Sequence, residues 1–151
     1  MTETVSISIE EWLALSREGT KIPVEITLAG TSMEPLIRKG RDTVRIEPLE
    51  EELCPGDIVL FKRADGAYVV HRVFGFDGKY VITLGDNCEK KDAPIPPERV
   101  LGKVTMIKRG GREIDPDSGL WRSAGIFGMK LLPLRKRALH MKWVLKKNFK
   151  R

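Results

Sequence analysis

Cysteine and histidine are scarce in this chain of 151 residues, which holds only Cys54, Cys88, His71 and His140. Two cysteines 34 positions apart make no disulfide framework, and no CxxC pair or His/Cys cluster has the spacing of a metal site. Both are read as reduced structural thiols, and neither a metal nor a cofactor is expected. Long apolar runs are missing as well. No stretch approaches the roughly 18–20 apolar residues of a membrane span, and residues 123–129 form the longest uncharged run near the C-terminus. Residues 1–11 hold acids where a secretory leader holds bases. The expectation is a cytoplasmic protein. Acidic residues, finally, are absent from 118–151, which contains ten Lys/Arg and no Asp or Glu. The net charge of +6 therefore sits in the tail, since the first 117 residues carry seventeen bases against twenty-one acids. A folded basic face would point to nucleic acid; a basic tail does not, and no specific nucleic-acid partner is expected.

What is present reads as a strand-rich body. Ser8 three residues before Glu11 is a capping-box pattern, and Ile9, Trp12, Leu13 and Leu15 give a short helix one apolar side until Gly19. After Pro23 the alternation of Val24, Ile26 and Leu28 predicts a strand that leads into Gly30-Thr31-Ser32-Met33-Glu34-Pro35. Further strands are predicted over 43–47, 57–62, 68–74, 79–84 and 100–107, with hairpin turns at Asp65-Gly66 and Asp77-Gly78. Six strands with tight turns predict a mainly β fold built as an antiparallel meander.

Gly110-Gly111 and Asp115-Pro116-Asp117-Ser118-Gly119 read as a linker, dividing a β domain over 1–112 from an appendage over 113–151. In the appendage Leu134, Ala138, Met141, Leu145 and Phe149 share one helical face, with Pro133 at the helix start and lysines and arginines around much of the rest. Two uses of that helix stand open. It packs its stripe on the β body, or it lies on an anionic membrane through 120–151, with Trp121, Phe127 and Trp143 at the interface.

A serine hydroxyl is a poor nucleophile until a placed base takes its proton. His140 falls in the basic tail, whereas His71 lies mid-strand in Val69-Val70-His71-Arg72-Val73 and interrupts the apolar row of Val69 and Val73. Five segments then occur in a telling order: Ser32-Met33-Glu34-Pro35, Gly56-Asp57-Ile58-Val59-Leu60-Phe61, the strand around His71, Gly85-Asp86-Asn87 and Gly102-Lys103-Val104. Together they resemble the conserved boxes of type I signal peptidases and the related LexA-type peptidases, over about half of the chain.

That resemblance implies a β-barrel-like core and a serine endopeptidase with Ser32 as nucleophile. Most bacterial members hold a lysine where this chain has His71, so the match is to the archaeal and endoplasmic-reticulum branch, which uses Ser and His with an aspartate. The exchange is chemically sound. A lysine near 10.4 must be brought down by roughly three pH units to serve near neutrality, about 4 kcal/mol of environmental work, while an imidazole near 6.5 needs little. By register Asp92 is preferred to Asp86 as the acid that orients His71. The Ser32 N–H is the expected oxyanion donor. Gly30 stands where many relatives place a hydroxyl residue, Thr31 is adjacent, and Met33 and Pro35 are expected to shape the turn and the substrate groove, with core packing an equal alternative for Met33.

Two departures accompany the resemblance: Arg41 inserted in Gly40-Arg41-Asp42, read as a surface-loop detail, and the lack of an anchor segment. The substrate class expected is an extended peptide or leader segment. Two other functions fit the same residues. One is a peptide-binding module without catalysis. The other is a self-cleaving LexA-like regulator, weakened because only about 20 residues precede the first strand, too few for a helix-turn-helix.

Overall fold

The computed structural model describes residues 8–148. The opening helix α1 (Ile9–Arg17) begins with the capping box in place: the Ser8 hydroxyl accepts from the Glu11 N–H at 3.1 Å, and the Glu11 carboxylate accepts from the Ser8 N–H at 2.7 Å. Trp12 is fully buried, its indole N–H donating to the Ile22 carbonyl at 2.7 Å.

Seven antiparallel strands follow: β1 (Val24–Thr27), β2 (Asp42–Glu47), β3 (Ile58–Lys62), β4 (Tyr68–Asp77), β5 (Tyr80–Leu84), β6 (Val100–Arg109) and β7 (Arg112–Ile114). They form one sheet in the order β1-β2-β6-β3-β4-β5, with β7 paired to β6. The mainly β expectation holds. The meander does not, because β6 lies between β2 and β3, and the path stays open from β1 to β5 instead of closing into a barrel. The cause is visible in β3. Ile58 and Leu60 join one apolar cluster with Trp12, Val44, Ile46 and Val104, while Val59 and Phe61 join another with Val73, Val81 and Val100. A strand buried on both faces belongs in the interior of a sheet and needs a neighbour on each side. β4 supplies one, and the ten-residue β6 supplies the other while also pairing β2.

Gly110 and Gly111, read above as linker, form a two-residue hairpin turn with φ of 53° and 79°, and Arg109 pairs Arg112 across it. The boundary drawn between 112 and 113 thus falls within β7.

Two helices close the described chain, α2 (Gly119–Lys130) and α3 (Leu132–Asn148). α2 belongs to the body. Met129 packs on Leu84, Trp121 packs against the main core beneath the Arg109 guanidinium at 5.2 Å, and Arg122 donates to Asp57 at 2.8 Å. Across the junction Leu131 N–H reaches Phe127 and Arg135 N–H reaches Leu131 at 2.8 Å, so a single residue, Leu131, separates the two helices. α3 does not lay its stripe on the sheet, since Leu134, Met141 and Leu145 are 60%, 64% and 53% exposed. Phe149, the last of that stripe, lies outside the described residues. No helix among them is long and apolar enough to cross a membrane.

Candidate active site

β4 sends His71 and Arg72 to opposite faces of the sheet, as strand alternation demands. His71 pairs with Val59 of β3, is nearly buried, and meets the Phe61 ring edge-on at a centroid distance of 6.1 Å. Its Nδ1 lies 2.6 Å from Asp92 Oδ2. Asp92 is itself fixed by β5: its N–H donates to the Thr83 carbonyl at 2.9 Å, and the Thr83 hydroxyl donates to Oδ2 at 2.5 Å. A carboxylate only accepts, so the hydrogen between them is on Nδ1 and Nε2 is the free nitrogen of the neutral ring.

The electrostatics follow from that contact. Burial acts to lower the His71 pKa, but the hydrogen bond to the Asp92 carboxylate, aided by the neighbouring Cys88 sulfur, outweighs it and holds the imidazole up at about 9. Burial likewise acts to raise Asp92, and is outweighed by His71 and Thr83, which hold the carboxyl below its usual range.

Ser32 approaches from the loop after β1. Its carbonyl accepts from the Asn87 N–H at 2.8 Å, and the Asn87 amide donates to the Thr31 carbonyl at 3.2 Å, tying this loop to the turn after β5. The far end of the loop is latched by Asp42, which is buried and accepts from the Arg38 N–H, Arg41 and Arg109, while Arg109 also donates to the Leu36 carbonyl at 2.9 Å. Burial opposes ionisation of Asp42, yet these donors hold its pKa far below the ordinary value. Arg41 is exposed in the turn before β2, as expected of a surface-loop insertion, and its guanidinium also donates to the buried Asp42.

Ser32, His71, Cys88 and Asp92 line one cleft of about 570 Å³ between the β1 end of the sheet and the β3–β4 hairpin. Within it no hydrogen bond among the described residues joins the Ser32 hydroxyl to His71. Cys88 stands at the free nitrogen. A Cβ placed on Gly85 would lie 2.6 Å from the Cys88 sulfur, 2.8 Å from the Ser32 carbonyl oxygen and 3.0 Å from His71 Nε2, so only glycine fits where these three converge. Both cysteines are free, as the reading of reduced thiols expects; Cys54 is exposed, and Cys88 packs beside Leu84 and Met129 while also lining the cleft.

The other expected residues are placed as follows. Asp86 does not reach His71: it receives Nε and NH2 of the fully buried Arg72, each at 2.9 Å, on the opposite face. Arg72 also donates to the Gly56 carbonyl at 2.9 Å and is roofed by Gly125 of α2, where any Cβ would collide with the guanidinium. Gly30 lines the cleft, but a Cβ there would meet open space and its φ is not left-handed, so neither crowding nor backbone explains the glycine. Thr31 is exposed. Met33 takes the core-packing alternative, buried in the main core beside Ile37, and Pro35 follows a cis peptide bond on the exposed side of the loop.

Sequence reasoning missed Thr83, Cys88 and Arg135. The Arg135 guanidinium, one turn into α3, donates to the carbonyls of Gly85 and Cys88, clamping the turn that bears the sulfur. Only Cys88 left a local signal, standing directly after the matched segment Gly85-Asp86-Asn87; the other two meet the site across long stretches of chain. Among the described residues no group of three or more His, Cys, Asp or Glu side chains could hold a metal ion. No protein-family model matches the chain, and no curated protein matches it.

Proposed function

We propose that this protein is a serine endopeptidase of the signal-peptidase and LexA type, which cuts an extended peptide or leader segment. The observation that carries the reading is the His71–Asp92 contact of 2.6 Å opening on the cleft that Ser32 also lines. A peptide laid along the free edge of β1 gains strand hydrogen bonds and brings its carbonyl past Ser32. Ser32 Oγ attacks that carbonyl carbon as its proton passes to His71 Nε2, and Asp92 steadies the resulting imidazolium through Nδ1. The tetrahedral intermediate collapses, the C–N bond breaks, and the amine leaves with the proton from Nε2. Water, deprotonated by the same nitrogen, then releases the acyl group and restores Ser32.

The chemistry requires the Ser32 side chain to turn onto Nε2, the kind of tightening that substrate brings to an unliganded site. A peptide-binding module without catalysis is the second reading, favoured by the absence of that hydrogen bond among the described residues. A fluorophosphonate probe separates the two. Peptidase chemistry predicts labelling of the parent protein at Ser32, lost in Ser32→Ala and in His71→Ala, together with cleavage of a peptide library that Ser32→Ala does not perform. Identical behaviour of parent and Ser32→Ala in both assays leaves the binding module.

A further inference from the structure

The unpartnered side of α2 and α3 carries a regular pattern. Leu120, Ala124, Phe127, Leu131, Leu134, Ala138, Met141 and Leu145 recur at alternating steps of four and three, the spacing that keeps side chains on one helical face. On α2 this row is opposite Gly125 and Met129, which pack against the body. On α3 it lies about a quarter turn from Arg135, the residue that grips the site turn. The body holds α2 by its other side and reaches α3 through Arg135, and the row stays exposed: Leu120 is 81% and Phe127 63% exposed, with Leu134, Met141 and Leu145 all above half. Isolated exposed apolar side chains need no explanation; a row continued through two helices does.

Charge selects what covers it. Lys130 and Arg137 flank one side of the row and Lys142 and Lys146 the other, and 118–151 contains no acid. A second copy docking row to row would set these bases against each other with no carboxylate from either tail to answer them. An anionic bilayer meets both requirements: its acyl boundary takes the apolar row while its headgroups take the flanking ammonium and guanidinium groups. We infer that α2 and α3 form a membrane-surface helix that lies in the plane of an anionic bilayer through the row from Leu120 to Leu145. This differs from the sequence expectation about tryptophan. Trp121 is engaged by the core and Arg109, and Trp143, nine residues from Leu134, is on the opposite side of α3, where it stacks on His140 at 6.0 Å.

The test is flotation of the full chain with vesicles of phosphatidylcholine, alone or mixed with phosphatidylglycerol, and is independent of peptidase activity. Binding is expected to the mixed vesicles only, weakening as salt is raised. Phe127→Glu and Met141→Glu, both at exposed positions, are each expected to cut partitioning roughly tenfold or more while leaving the thermal melt in place. Trp143→Ala is expected to bind like the parent. Equal flotation with neutral vesicles, or parent-like binding by both glutamate variants, overturns the inference. So does a concentration-dependent dimer in sedimentation that those variants abolish, which would assign the row to a protein contact.

Discussion

The two halves of the candidate site are built differently. The histidine half stands on sheet: His71 and Thr83 belong to adjacent strands, both side chains are buried, and Asp92 is bonded to each of them. The serine half stands on a loop, held by the backbone bond from Asn87 and by the Asp42 clasp some ten residues beyond Ser32. Rigid elements fix side chains more tightly than loops do, so in the proposed chemistry the base is held by sheet and the nucleophile by a loop. Substrate binding, on this view, completes the serine half and leaves the histidine half as it is.

The contrast can be broken hardest at Asp92. Asp92→Asn removes the carboxylate charge and lets an amide N–H face Nδ1, which favours the wrong tautomer, and a loss of roughly 10³–10⁴ in kcat is expected from peptide cleavage assays. Next comes the opposite face of β4. Asp86→Ala leaves the Arg72 charge buried without its partner and is expected to lower unfolding stability in denaturant by about 3–5 kcal/mol. Pairing it with Arg72→Met should restore part of that loss.

Acidity sharpens the comparison without mutation. A histidine held at about 9 is protonated at neutral pH, so cleavage is expected to rise with pH towards that value as Nε2 becomes able to accept. Stability should run the other way. A raised histidine pKa contributes stability fully below 6.5, and that contribution fades as pH climbs through about 9, which melting curves across the range would register. The mildest probe is Cys88. Because its contact helps hold the imidazole up, Cys88→Ala is expected to shift the lower limb of the pH–rate profile modestly towards acid. Alkylation of the parent with iodoacetamide should block cleavage by filling the space at Nε2, whereas Cys88→Ala with Cys54 still present should resist that inactivation.

Sequence alone carried the parts of this molecule whose signals are local. The capping box at Ser8 and Glu11, the turn at Asp77-Gly78 and the apolar run 58–61 each announce their structure within a few residues. Placement of β6 between β2 and β3 depends on pairings 39 to 67 residues apart, which no local period records. α2 was hidden for another reason. Gly119, Gly125 and Gly128 depress its helix propensity, and Gly125 is there because the buried Arg72 leaves no room for a side chain. At the site, the pattern pointed to His71 and Asp92, but the neighbours that decide their chemistry, Thr83 and Cys88, look like ordinary residues until the chain is folded.

Arg135 links what would otherwise be separate parts. From α3 it grips the carbonyls of Gly85 and Cys88, and the same turn passes through Asn87 to the backbone of Ser32. The C-terminal helix and the Ser32 loop are thus joined through a short relay of hydrogen bonds. Shortening the protein before α3 would remove the Arg135 link, and cutting before α2 would also strip Met129 and Trp121 from the body. The appendage thereby belongs to the framework that seats Ser32.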